Sequence, residues 1–264
     1  MRTAIVTLLF ILICSTTSAA QSLDEIETTL VDYLQKLELV SNYGGSGDYD
    51  TQAELNQKLR NALMKFGTRS DVLNYPFPKL DEMMSITTSK DGRLRAYSWD
   101  TESGGTMHDY MIVYQFQKRN GNVGVWALPY SDDVSEYGAG SFVHQIFQTE
   151  TRNETLYLVV STFIGSTSLS GQSLTVFRVE NGHLNRDVKL IRTTSGLKSS
   201  VSFSYDFFSV VDRPERPIRL FEYDDAKKEF RFPIVIEDEK TPQGRVTDRF
   251  ITYRFNGRHF VKKN

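Results

Sequence analysis

Hydrophobic and polar residues change their period once along this chain. Between Leu23 and Phe66 apolar side chains recur every three or four positions: Leu23, Ile26, Leu30, Leu34 and Leu37, then Leu55, Leu59, Leu63 and Phe66. That is the period of a helix with one buried face. Ser22 with Glu25, and Thr51 with Glu54, have the spacing of a capping box, in which a hydroxyl and a carboxylate satisfy free backbone donors at a helix start. The spacing predicts one helix from Ser22 to near Val40 and a second from Thr51 to Gly67, with Gly67 as a left-handed cap. Gly44-Gly45-Ser46-Gly47 breaks the chain between them, so a helical hairpin is expected. Asn74-Tyr75-Pro76-Phe77-Pro78 then enforces extended backbone, which puts a boundary near Leu80.

Beyond that boundary the period is two. Leu94, Ala96 and Ser98 alternate with Arg95, Tyr97 and Trp99, and Met111, Val113 and Gln115 alternate with Tyr110, Ile112, Tyr114 and Phe116. Such alternation marks strands with unlike faces. Asp91-Gly92 and Asn120-Gly121 read as hairpin turns of type I′, which require positive φ at both central residues. Asn-Gly recurs at 181 and 256, each time after a strand-like run, Thr175-Val176-Phe177 and Thr252-Tyr253-Arg254-Phe255. Leu156 after Asn153 matches Leu94 after Asp91-Gly92, and Ile218 to Tyr223 with Phe230 to Ile236 flank a turn at Asp224-Asp225.

Three copies of about four antiparallel strands follow from this spacing, over residues 81 to 264. Each copy resembles one blade of a β-propeller. Three copies fall short of the four to eight blades that close a ring, so an open propeller-like array, a sandwich and a barrel all stay open. The fold class is mainly β, preceded by a helical hairpin and linker over 21 to 80.

The first twenty residues alter the setting. One Arg, an apolar run from Ala4 to Cys14 and small residues at Ser18 and Ala20 form a secretory signal peptide over 1 to 20. The run is shorter than the roughly 20 residues that span a bilayer, so no membrane span is expected. Bulky Ile11, Leu12 and Ile13 before Cys14 argue against a lipid anchor. Cys14 is the single cysteine, so the exported chain has no disulfide to staple it and must rely on its core, which fits a periplasmic or secreted bacterial protein. The formal charge of −2 is spread without long blocks, which excludes a nucleic-acid footprint.

No motif names a reaction. Ser195-Gly196-Leu197-Lys198 has the S-x-x-K spacing of penicillin-binding enzymes but neither companion motif nor a helix to open. The histidines at 108, 144, 183 and 259 form no pair with zinc spacing, Asp48, Asp50 and Glu54 lack the ligand spacing of a calcium loop, and no cofactor fingerprint occurs. Two loops carry more chemistry than a turn requires. One runs from Trp99 through Asp100, Glu102, His108 and Asp109 around Gly104-Gly105; the other holds Tyr130, Asp132, Asp133 and Tyr137. Aromatic rings beside carboxylates suit a sugar, and paired acids can cleave a glycoside. The strands between these loops, Tyr110 to Gln117 and Val123 to Leu128, run antiparallel, so both loops are expected on one edge. The expectation is an exported, non-catalytic module that binds an envelope protein or glycan. The alternative is a hydrolase of an envelope polymer with Asp100, Glu102, His108 and Asp109 as acid and base.

Overall fold

A computed structural model describes residues 21–127, 140–152 and 154–263. The signal segment, Asn153 and the second loop with Tyr130, Asp132, Asp133 and Tyr137 lie outside the described residues. The protein is mainly β, with antiparallel sheets preceded by three helices: α1 (Leu23–Leu39), α2 (Tyr49–Phe66) and a short α3 (Ser70–Asn74).

The capping box at Ser22 forms as the sequence predicts, with Ser22 Oγ accepting from the Glu25 amide and Glu25 accepting from the Ser22 amide. The second helix is capped three residues earlier than expected, by Asp48 rather than Thr51, and Asp48 accepts from the Thr51 amide and hydroxyl. A carboxylate at that position also faces the positive end of the helix dipole. Glu54 is left to pair with Lys58 on the helix surface. Gly67 is right-handed, not left-handed, at φ −64°. Its smallness serves packing instead, since a Cβ there would lie 2.7 Å from Val125 Cγ1 on the neighbouring sheet.

The first sheet is a four-strand meander of β1 (Ser85–Thr88), β2 (Leu94–Asp100), β3 (Tyr110–Gln117) and β4 (Val123–Ala127). The second begins with β5 (Phe142–Glu150), β6 (Thr155–Ile164), β7 (Leu169–Glu180) and β8 (His183–Asn185), paired in chain order. In the third, β12 (Glu222–Asp224), β13 (Glu229–Ile236), β14 (Arg245–Phe255) and β15 (Phe260–Lys262) repeat the arrangement. The remaining strands lace the last two sheets together. β9 (Ile191–Thr193) pairs in parallel with β15, β10 (Gly196–Lys198) pairs with β9, and β11 (Ser200–Asp206) returns to the edge of β7. Among the described residues these sheets close into neither a barrel nor a propeller.

Only one Asn-Gly turn has the predicted geometry. Asn181 and Gly182 both have positive φ and join Glu180 directly to its partner His183, as a type I′ turn must. At Asn120-Gly121 and Asn256-Gly257 only the glycine is left-handed, and the loops are longer, closing between Gln117 and Val123 and between Phe255 and Phe260. There the asparagine side chains brace the turn by accepting backbone amides.

Alternation along the strands sorts side chains into layers. On β2, Tyr97 and Trp99 face the helices and share a core with Ile26, Leu30, Leu59 and Leu63. Leu94 and Ala96, on the other face, pack with Tyr157, Val159 and Phe177 of the second sheet. On β6, Leu156, Leu158 and Val160 turn the opposite way and meet Ile191, Phe230, Phe232 and Phe260 of the third sheet. The result is helices, then three sheets, in succession. Each fully buried Leu or Phe in these layers contributes about 1.5–3 kcal/mol.

Candidate functional site

The β2–β3 connection sits where the helical hairpin meets the first sheet. It is fixed from below by polar side chains that interrupt the apolar stripe of α2. Asn56 is 3% exposed and donates to the Thr101 carbonyl at 2.9 Å, while its Oδ1 accepts from Trp99 Nε1 at 2.8 Å. Gln52 is equally buried and donates to the Val40 carbonyl and to Asn42 Oδ1. Asn42 in turn donates to the Ser103 carbonyl at 2.7 Å, and its amide donates to the Glu102 carbonyl at 2.9 Å. Asn56 and the Gln52 amide nitrogen find partners in this layer, as buried polar groups need, while among the described residues Gln52 Oε1 has none.

Above the layer, three of the predicted side chains come together. His108 Nδ1 lies 2.5 Å from Asp100 Oδ2. The other Asp100 oxygen accepts from the Glu102 amide at 3.0 Å and from the Tyr43 hydroxyl at 3.4 Å. Glu102 accepts from the Ser41 hydroxyl at 2.5 Å. The backbone of Glu102 is left-handed, at φ +60°, an unfavourable conformation for a residue with a Cβ that here lets both acids approach the hairpin. Tyr43 packs on the imidazole with ring centroids 4.7 Å apart, and Tyr110 stacks beyond it at 6.2 Å.

Burial pushes the Glu102 carboxyl above the usual carboxylate range; the Ser41 hydrogen bond opposes this and the nearby Asp100 and Glu38 charges reinforce it. Burial, then the Asp100 and Glu102 charges, raise the Tyr43 and Tyr110 hydroxyls. Burial is the larger cause of these shifts, and the two carboxylates add a negative local potential to it.

Trp99 does not belong to the surface of this site. It is 1% exposed, lies in the core beneath the helices and uses its only donor on Asn56, so no ligand can stack on it. Asp109 points elsewhere and accepts from the Gly140 amide at 2.9 Å. That bond ties the end of the second loop to the end of the first. The amide of His108 donates to the Ile164 carbonyl at 3.1 Å, which brings the β6–β7 connection to the same edge. Among the described residues no three His, Cys, Asp or Glu side chains are grouped to hold a metal ion.

Sequence reasoning missed Ser41, Asn42, Tyr43, Gln52 and Asn56. A signal existed for the last two: they fall on the inward stripe of α2 beside Leu55, Leu59 and Leu63, where a polar residue needs a buried partner. Nothing local marks Tyr43, because the contact that matters reaches it from a loop some sixty residues on.

Comparison with known protein families, curated proteins and solved structures finds no match for this chain.

Proposed function

We propose that this is an exported, non-catalytic envelope protein, periplasmic or secreted, that binds a glycan through the rim formed by Tyr43, Met107 and His108. An open propeller-like array is the reading of the sheets that goes with it, three blade-like meanders that present loops at their ends. The observation that carries the binding role is the division of labour at the site. The carboxylates of Asp100 and Glu102 are held by His108, Tyr43, Ser41 and the Glu102 amide, whereas Tyr43 and Met107 are 41% and 47% exposed. An exposed ring with acceptor groups beside it suits the C–H face and hydroxyls of a sugar.

The test is retention on immobilised peptidoglycan and on arrayed envelope oligosaccharides. The intact protein is expected to bind, and Tyr43→Ala is expected to weaken binding about tenfold or more, in line with the loss of one aromatic anchor. Equal retention of the variant, with an unchanged circular dichroism spectrum, places the binding surface elsewhere; retention by an envelope protein instead of any glycan changes the class of partner.

One observation favours a second reading, a hydrolase of an envelope polymer. Asp100 orients the imidazole of His108 through Nδ1, which frees Nε2 for proton transfer, and Glu102 beside it holds its proton to higher pH than an ordinary glutamate. Release of reducing ends from an envelope polysaccharide that disappears in His108→Ala would establish it.

A further inference from the structure

At the far end of the strands from this site, an open cleft of about 910 Å³ lies between the second and third sheets. The β5–β6 turn forms one wall and the β14–β15 turn the other, with the β12–β13 turn and Leu190 completing it. β6 runs from this cleft to the His108 loop, and its ten residues separate the two sites by roughly 30 Å. The floor is apolar: Leu156 is fully buried, and Leu190 and Phe255 are half-buried.

The rim is basic. Arg152, Arg258 and Lys228 line the cleft together with Glu150 and Glu154. The two acids are engaged: both oxygens of Glu150 accept from the Thr155 hydroxyl at 3.0 Å, and Glu154 lies 3.6 Å from Arg178. Lys228 donates to the Glu150 carbonyl at 2.5 Å, which joins the two sheets and uses one of its three protons. Among the described residues, Arg152 and Arg258 form no salt bridge, and both are exposed. The neighbouring His259 is held below the usual imidazole range by desolvation and then by the charges of Arg192 and Arg258, in keeping with a positive potential there.

We infer that this cleft binds a small ligand with an oxyanion head, carboxylate or phosphate, and an apolar body. The planar guanidinium fork matches both oxyanions in bidentate fashion, and two forks without carboxylate partners above an apolar floor supply what such a ligand requires. The volume lies within the range of small-molecule sites.

Calorimetric titration of the full chain with phenyl phosphate, benzoate and inorganic phosphate tests the inference. Saturable binding of phenyl phosphate or benzoate is expected, weakened about tenfold or more by Arg152→Ala or Arg258→Ala and unaffected by Tyr43→Ala. Tighter binding of phenyl phosphate assigns the head group as phosphate, and tighter binding of benzoate assigns it as carboxylate. Absence of saturable binding by both aromatic probes, or equal affinity in the Arg152→Ala/Arg258→Ala double variant, overturns the site. Inorganic phosphate binding as tightly as phenyl phosphate overturns the role of the apolar floor.

Discussion

At the scale of single residues, Glu102 combines two unfavourable features, a left-handed backbone and a half-buried carboxyl close to Asp100. Its raised pKa means that the folded chain holds this proton more firmly than the unfolded chain. The sign follows: the group favours folding at acid pH, and that contribution is lost as pH rises from the ordinary glutamate value near 4.3 through the raised one. Glu102→Gln keeps an acceptor for Ser41 but cannot ionise. It is expected to melt higher than the parent at pH 7.5, with the difference shrinking towards zero at pH 4. Thermal denaturation at the two pH values measures this, and a difference that does not change with pH refutes it.

At the scale of elements, a tight junction lies on β7, where Gly171 pairs with Phe163 of β6 and Ser204 of β11. A Cβ there would lie 2.1 Å from Phe163 Cε1 and 2.9 Å from the Phe203 carbonyl oxygen. Gly171→Ala is therefore expected to cost about 1–3 kcal/mol, as overpacking does, and urea denaturation measures it; an unchanged midpoint would show that the aromatic rings yield freely. The elements themselves were legible because local chemistry writes them. The stripes Ile26–Leu37 and Leu55–Phe66 are buried as their spacing requires, and the turns at Asp91-Gly92, Asn120-Gly121, Asn181-Gly182 and Asn256-Gly257 all join adjacent antiparallel strands. The lacing strands β9 and β10 were not legible. Three-residue strands carry no period, and the pairing of Ile191 with Phe260 is set by sheet packing rather than by the residues between them. The candidate site was legible in half, since Asp100, Glu102 and His108 share one loop, whereas their partners on the helical hairpin enter only through tertiary structure. Trp99 illustrates the limit: an aromatic at a strand end reads the same whether it faces a ligand or the core.

At the scale of the whole molecule, the layers are unequal. The second sheet is packed on both faces, while β14 of the third has exposed residues at Asp248, Arg249 and Phe250. Opening free energy rises with the buried contact that must be broken. Amide hydrogen exchange is therefore expected to be slowest in β6, from Leu156 to Val160, and fast in β14 around residues 248–250. Exchange in β6 as fast as in that part of β14 would mean that the layers open together.

The parallel pairing of β9 with β15 imposes a timetable on the nascent chain. When Ile191 leaves the ribosome its partner Phe260 has yet to be made, and at about 5–20 residues per second the wait is roughly 3 to 14 s. For that interval the β9–β10 ribbon lacks its β15 neighbour, whereas β11 can already pair with β7, since both strands are complete by residue 206. The third sheet is therefore completed in a late event, whereas the helices and the first sheet need nothing beyond residue 127 to pair their strands.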